Sequence, residues 1–192
     1  RQVWGQIIGL FGLTCTVLSY QTKKLRNYSL PQGTGGAFFT ASFLLLGSPT
    51  SAILNFLNVL RGGVFAAGKR LHKPPVLVSI LALNTLATAG TLVYQYRNPT
   101  DGRQFAPVLV FALLTWGAQI VTSFAMWSND GRFIRTAQFL YVSPAWLANN
   151  IYFASVPGIL CESFTMVSIV VSLIRFGWRG LARGAAGTGT EE

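Results

Sequence analysis

The chain has 192 residues, of which 51% are hydrophobic and only 10% are charged, and its mean hydropathy is +0.46. Soluble domains carry about 25% charged residues, so this composition excludes an ordinary soluble globule. A net charge of +10 could suit a nucleic-acid partner. However, the basic residues lie between apolar segments, at their ends or in the tail, which predicts no basic face and no nucleic-acid binding.

Seven apolar segments follow one another along the chain. Each is about 17 to 23 residues long, the length with which a helix crosses about 30 Å of hydrocarbon. None shows the alternating pattern of a membrane barrel strand. We therefore expect an all-α membrane protein with seven transmembrane helices surrounded by membrane lipids. The segments cover residues 3–20, 31–47, 49–67, 75–96, 105–127, 134–154 and 157–178.

The lysines and arginines are distributed unequally between the two sides of such a membrane protein. One side collects Lys23, Lys24, Arg26, Arg61, Lys69, Arg70, Lys73, Arg132, Arg135, Arg175, Arg179 and Arg183. The other side has only Arg1, Arg97 and Arg103. Because basic loops stay in the cytoplasm, this predicts a periplasmic N-terminus and a cytoplasmic C-terminus in a bacterial-type or organelle inner membrane.

The last three segments repeat the layout of the first three. Short turns containing proline, at 47–51 and 154–158, join the second segment to the third and the sixth to the seventh. Because one unpaired segment lies between the triplets, both triplets cross the membrane in the same direction. The predicted order is a three-helix bundle at 1–68, a linker with the fourth helix at 69–104, a second bundle at 105–178 and a disordered tail at 179–192.

Polar residues at membrane depth are the candidates for a binding site. Glu162 lies about five residues inside the seventh segment, where an ionisable group is costly unless it is paired, protonated or facing water. Asn55 occupies the matching depth of the third segment. We predict a polar cleft between the two bundles, with buried helix-to-helix hydrogen bonding as the structural alternative. The other candidates for this cleft are Asn58, Gln119, Trp146, Asn149, Asn150 and Tyr152.

The segments lack the residues that several kinds of functional site require. Retinal binding needs a lysine inside a span, and no segment has one. The single histidine, His72, lies in a basic loop and cannot supply paired metal or haem ligands. Cys15 and Cys161 fall at different depths, which favours two apolar core residues over a disulfide or a metal site. We therefore expect no enzyme activity, no metal and no cofactor.

Two stretches resemble the YgjV-type bacterial inner-membrane proteins. One runs from Phe43 through Gly47 to residues 51–55. The other begins with Trp146, Asn149, Asn150 and Tyr152 and continues through Ser155, Gly158 and Glu162 to residues 174–176.

More distantly, the three-one-three layout is similar to the SWEET and PQ-loop transporters, which use two parallel three-helix bundles. That resemblance implies substrate contacts at Asn55 or Asn58 in the third helix and at Glu162 or Ser163 in the seventh. The chain departs from this superfamily because the Pro-Gln pair that ends its first and fifth helices is absent near 19–21 and 125–127. The pair Pro31-Gln32 lies at a different position.

Two functions remain open from the sequence. The first is a carrier-like transporter of a small polar solute, with its site between the bundles. The second is a non-catalytic accessory subunit that packs against lipids and other proteins of a larger membrane complex. Small-residue faces such as Gly5-x3-Gly9 fit either packing inside the monomer or a homo-oligomer, and the first is favoured.

Overall fold

A computed structural model describes residues 2–21, 25–67, 73–98, 105–128 and 130–186. Every regular element in these ranges is helical. The elements are α1 (Gln2–Ser19), α2 (Leu25–Leu45), α3 (Pro49–Ala66), α4 (Pro74–Arg97), α5 (Phe105–Ser128), α6 (Gly131–Ala137), a π-helical turn (Gln138–Val142), α7 (Ser143–Tyr152) and α8 (Val156–Ala186). Because α6, the π-turn and α7 are continuous, the described chain forms seven helical runs.

Four of the described helices are long and apolar enough to cross a membrane. They are α1, α4, α5 and the part of α8 from Val156 to Gly177. The expectation of an all-helical membrane protein is confirmed, whereas seven crossings and the three-one-three arrangement stay predictions. The remaining helices, α2, α3, α6 and α7, do not meet this criterion of length and hydropathy.

Six helical runs contact one another in a closed ring, in the order α1, α2, α3, α5, α6–α7, α8 and back to α1. The fourth run, α4, packs outside the ring against α3 and α5. The ring therefore joins α1, α2 and α3 to α5, α6–α7 and α8 at two seams, α1 with α8 and α3 with α5.

Glycines allow the helices of the first triplet to approach closely. A Cβ on Gly62 of α3 would come within 2.8 Å of the Ser29 carbonyl oxygen on α2, and a Cβ on Gly36 of α2 would come within 2.9 Å of the Asn55 carbonyl oxygen. Gly9 of α1 meets Pro157 of α8 in the same way. These small residues thus pack helices inside one molecule.

The starts of two helices differ from those expected. The second helix begins at Leu25 and contains Pro31, which was expected to start it. The penultimate run begins at Gly131, because the Asp130 side chain caps it by accepting a 2.9 Å hydrogen bond from the Arg132 amide. Such a cap satisfies an N–H that the helix itself cannot.

The last helix, α8, ends at Ala186, and the disordered tail at 179–192 stays a prediction. At Gly177 the backbone leaves the helical region (φ 65°, ψ 160°), a conformation that glycine adopts without steric cost. Residues 187–192 lie outside the described residues, as do Arg1, Lys23, Lys24, Lys69, Arg70, His72 and Arg103.

Candidate functional site

A cavity of about 50 Å³ lies inside the ring of helices. Each of the six ring-forming runs supplies part of its wall, and α4 supplies none of the residues described there. The lining residues are Thr16, Gln32, Gly36, Phe39, Phe43, Asn55, Asn58, Arg61, Gln119, Thr122, Gln138, Val142, Trp146, Asn150, Gly158, Cys161 and Glu162. The wall therefore combines aromatic surface with amides, one guanidinium and one carboxyl group.

Most of the site residues expected from the sequence meet at this cavity. Those that line it are Asn55, Asn58, Gln119, Trp146, Asn150 and Glu162. Asn149 instead donates a 3.3 Å hydrogen bond to the Ser51 hydroxyl, joining α7 to α3. Tyr152 stacks on Phe111 with ring centroids 4.5 Å apart. These two residues are therefore brought to helix contacts beside the cavity.

Arg61 lines the cavity although the charge distribution placed it with the loop residues. Its guanidinium donates to Asn58 Oδ1 at 2.5 Å and to Gln119 Oε1 at 2.6 Å. The residue is only 3% exposed. Arg61 was not among the expected site residues, because it was counted with the loop charges on one side of the membrane. Its position inside the segment 49–67 was the feature that could have identified it. Hydrogen bonding to both amides fixes the charged group at the wall.

Two hydrogen-bond acceptors at the cavity have no partner among the described residues. Asn150 Oδ1 and Glu162 Oε2 are both buried atoms without a hydrogen bond there. Leaving a buried acceptor unpaired costs about 1–3 kcal/mol. Because Glu162 Oε2 is shielded from the surface, its carboxyl group does not reach outward as a long side chain near a helix end can. Both atoms can therefore accept a hydrogen bond from a molecule bound in the cavity.

The π-turn shapes one wall of the cavity. Pro144 follows this turn, and a proline inside a helix removes one N–H and clashes with the carbonyl four residues earlier. A wider π-helical turn relieves that conflict and is a common feature of functional sites. Gln138 and Val142, its first and last residues, both line the cavity. The Gln138 side chain is held by a 3.0 Å hydrogen bond to the Ser143 hydroxyl.

A second buried arginine holds helices together away from the cavity lining. Arg135 donates to the Ser172 hydroxyl at 2.7 Å, the Gly131 carbonyl at 3.1 Å and the Tyr20 carbonyl at 3.2 Å. It is 3% exposed, like Arg61. Arg135 was also counted as a loop charge, but these contacts join α6 to α8 and to the residue that follows α1.

Comparison with known proteins shows the family of the chain. Residues 3–179 match the family model of Imp-YgjV, described as a bacterial inner membrane protein. The chain belongs to this family. The resemblance in the two sequence stretches is thereby confirmed, and the family supports location in an inner membrane. No curated protein and no solved structure matches the chain.

Proposed function

We propose that this YgjV-family protein is a carrier-like transporter that binds a small polar solute in the cavity between two three-helix bundles. The observation that carries the proposal is the cavity itself, which all six ring helices line and in which two buried acceptors lack partners. Binding sites in membrane carriers of repeated architecture lie at such a repeat interface, near the middle of the bilayer.

In this proposal all seven helical runs cross the membrane, with α1–α3 and α5–α8 as the bundles and α4 as the linker. The runs of lower hydropathy, α2, α3 and α6–α7, are those that supply most of the polar lining residues. Their polar side chains face the cavity and leave apolar ones for the lipid. Examples of such exposed residues are Leu44 on α2, Phe56 on α3 and Leu140 in the π-turn.

The cavity size supports a small occupant. Because one water molecule needs about 10–15 Å³ by this measure, 50 Å³ has room for roughly three to five water-sized groups. Arg61 supplies donors, Asn150 and Glu162 supply acceptors, and Asn55 adds an amide to the wall. In this proposal, transport requires that the seams between the bundles open in turn.

The proposed orientation is a periplasmic N-terminus and a cytoplasmic C-terminus. Without the buried Arg61 and Arg135, the two sides carry ten and three basic residues, which still favours this orientation. A C-terminal alkaline phosphatase fusion should be inactive and a C-terminal fluorescent protein fusion bright, because only the first requires export. The opposite pair of results would reverse the proposed topology.

The accessory-subunit alternative predicts no cavity between the halves and a Glu162 carboxyl paired with a neighbour or near the lipid headgroups. The cavity supports the carrier instead. Gentle extraction followed by a native gel and mass spectrometry separates the two roles. A monomer or small homo-oligomer fits the carrier, while co-migration with many other proteins supports the subunit.

The direct test is uptake by proteoliposomes that contain the purified full chain. Labelled amino acids, amines, sugars and polyols form the solute panel. We expect uptake of at least one solute, reduced at least tenfold by combining Glu162→Gln with Asn55→Ala. Ser163→Ala is the matched control, because Ser163 is exposed and bonds only the Ile159 carbonyl in its own helix. Equal uptake by the double variant would contradict the site.

A further inference from the structure

We propose that the occupant of this cavity is a small zwitterion that carries an ammonium and a carboxylate group, such as a short α-amino acid. This inference rests on the proposed function and names the solute class for the same site. It follows from the opposite chemistry of two parts of the wall and from the cavity volume.

One part of the wall offers acceptors. Asn150 Oδ1 and Glu162 Oε2 are buried at the cavity and lack a hydrogen bond within the described residues. Asn150 belongs to α7 and Glu162 to α8, so the two come from neighbouring helices. A ligand group with several N–H donors can pair with both atoms at once, and an ammonium group has three. Its positive charge also compensates a buried carboxylate.

Another part of the wall offers a fixed cation. The Arg61 guanidinium is oriented by Asn58 and Gln119, whose amide oxygens accept its hydrogen bonds. Gln119 is itself held, because its Nε2 donates to the Leu54 carbonyl at 3.3 Å. A planar guanidinium in a fixed orientation is the side chain best suited to a carboxylate. The carboxylate of the ligand therefore belongs at this part of the cavity.

The two parts lie at different levels along the bundle. The start of α3 and the end of α7 are level, because Asn149 bonds the Ser51 hydroxyl. Glu162 is the seventh residue of α8 and Arg61 the thirteenth of α3. At 1.5 Å per residue, those six positions correspond to about 9 Å along the axes.

The acceptors and the guanidinium therefore come from different levels of one cavity. A single ligand with a cationic end and an anionic end can meet both.

The volume and the apolar wall restrict the side chain of such a ligand. A space of about 50 Å³ accepts a few non-hydrogen groups and excludes a sugar ring. Phe39 and Phe43 of α2 and Val142 of the π-turn add apolar surface, against which a hydrogen or methyl side chain can pack. The geometry thus favours glycine or alanine over larger amino acids.

The test is thermal unfolding of the full chain in lipid nanodiscs with increasing solute. The probes are glycine, L-alanine, methylammonium (cation alone), acetate (anion alone), glycine betaine (a zwitterion without N–H) and glycerol (neutral). We expect glycine and alanine to raise the Tm saturably by several degrees. Each other probe should give less than a quarter of that shift, because none offers both an N–H cation and a carboxylate.

Matched variants assign this shift to the cavity. Asn150→Ala, Glu162→Gln and Arg61→Lys should each abolish most of the glycine-induced shift, whatever their Tm without ligand. Asn149→Ala and Arg135→Lys are the controls, because these residues have the same burial but bond other helices outside the cavity. If Arg61→Lys does not fold, the comparison of Asn149→Ala with Asn150→Ala and the result for Glu162→Gln still show whether the glycine-induced shift arises at the cavity.

Three outcomes would overturn the proposal in distinguishable ways. If glycerol stabilises the protein and the amino acids do not, the zwitterion assignment is wrong while a solute site remains. If no probe shifts the Tm and no solute enters proteoliposomes, the proposed function fails and this inference with it. If Asn149→Ala removes the glycine shift as completely as Asn150→Ala, the amino acid binds elsewhere.

Discussion

Asn149 and Asn150 are adjacent in sequence and equally buried, yet they have different roles. Successive helix residues point about 100° apart, so the two side chains meet different surroundings. Asn150 lines the cavity, whereas Asn149 bonds Ser51. The sequence showed that two amides lie at depth but not which face of the helix is turned inward. Choosing between them requires the packing of neighbouring helices.

This difference predicts unequal effects of two alanine substitutions on stability. Asn149→Ala removes a satisfied hydrogen bond and should lower the free energy of unfolding by about 1 kcal/mol. Asn150→Ala removes an acceptor that has no partner among the described residues, so it should cost less than Asn149→Ala or be neutral. Solute-free unfolding in one detergent measures both. A larger loss for Asn150→Ala would mean that its amide is satisfied in the native protein.

Asp130 provides a pH-dependent contact outside the membrane-spanning helices. The Arg132 side chain, by donating hydrogen bonds to the Asp130 carboxylate, holds the pKa of that carboxyl group below its ordinary value of 3.8. A lowered pKa in the folded state stabilises the fold above the ordinary pKa. This contribution is lost as the pH falls through the lowered value.

Asp130→Ala should therefore lower stability by about 0.5–2 kcal/mol at pH 7, because it removes the helix cap. Asp130→Asn keeps a capping oxygen and does not titrate, so it is the matched control. The stability difference between wild type and Asp130→Asn should be constant above pH 5 and shrink as the pH falls below 3.8. Thermal unfolding between pH 7 and pH 3 tests this. A difference that grows on acidification would have the wrong sign.

At the scale of helices, the sequence predicts most of the positions and fewer of the boundaries. Long apolar runs identify α1, α4, α5 and the first part of α8 directly, because their composition alone suits a bilayer. The start of α2 was misplaced because Pro31 imitates a helix start. The composition of the chain does not predict the π-turn before Pro144. The turn depends on how the helix accommodates the missing N–H of Pro144 and its clash with the carbonyl four residues earlier.

Close contact between α2 and α3 gives a prediction with an adjacent control. A Cβ on Gly62 would come within 2.8 Å of the Ser29 backbone oxygen, while one on Gly63 would meet nothing within 4 Å. Gly62→Ala should force the helices apart and destabilise the protein by about 1–3 kcal/mol. Gly63→Ala should be neutral or stabilise by up to about 1 kcal/mol, because alanine favours the helix. Thermal unfolding compares them. Equal Tm values for the two variants would contradict the described contact.

For the whole molecule, the sequence indicated a polar site between two halves because polar residues recur at matching depths. It did not identify Arg61 as part of that site, since a charge near a loop and one turned into a cavity look alike in a sequence. It also could not give the cavity volume. That volume depends on Gly36, Gly158 and the π-turn acting together on the positions of neighbouring helices.

The central claim is that this cavity opens to water during a transport cycle, and Cys161 offers the most direct test. Cys161 lines the cavity, and its side chain is only 2% exposed. The chain has two cysteines, so Cys15→Ser leaves Cys161 as the single thiol. The unfolded variant gives the reference for complete modification, and Cys15→Ser combined with Cys161→Ser gives the blank.

The measurement is labelling of Cys161 by a small, charged, membrane-impermeant methanethiosulfonate reagent, added in turn to each side of oriented membranes. A carrier should show slow but complete modification from both sides, since each seam opens in turn. Modification after unfolding but from neither side of the native membrane would contradict it. The cavity would then be a permanently closed packing feature, and the protein would not be a carrier.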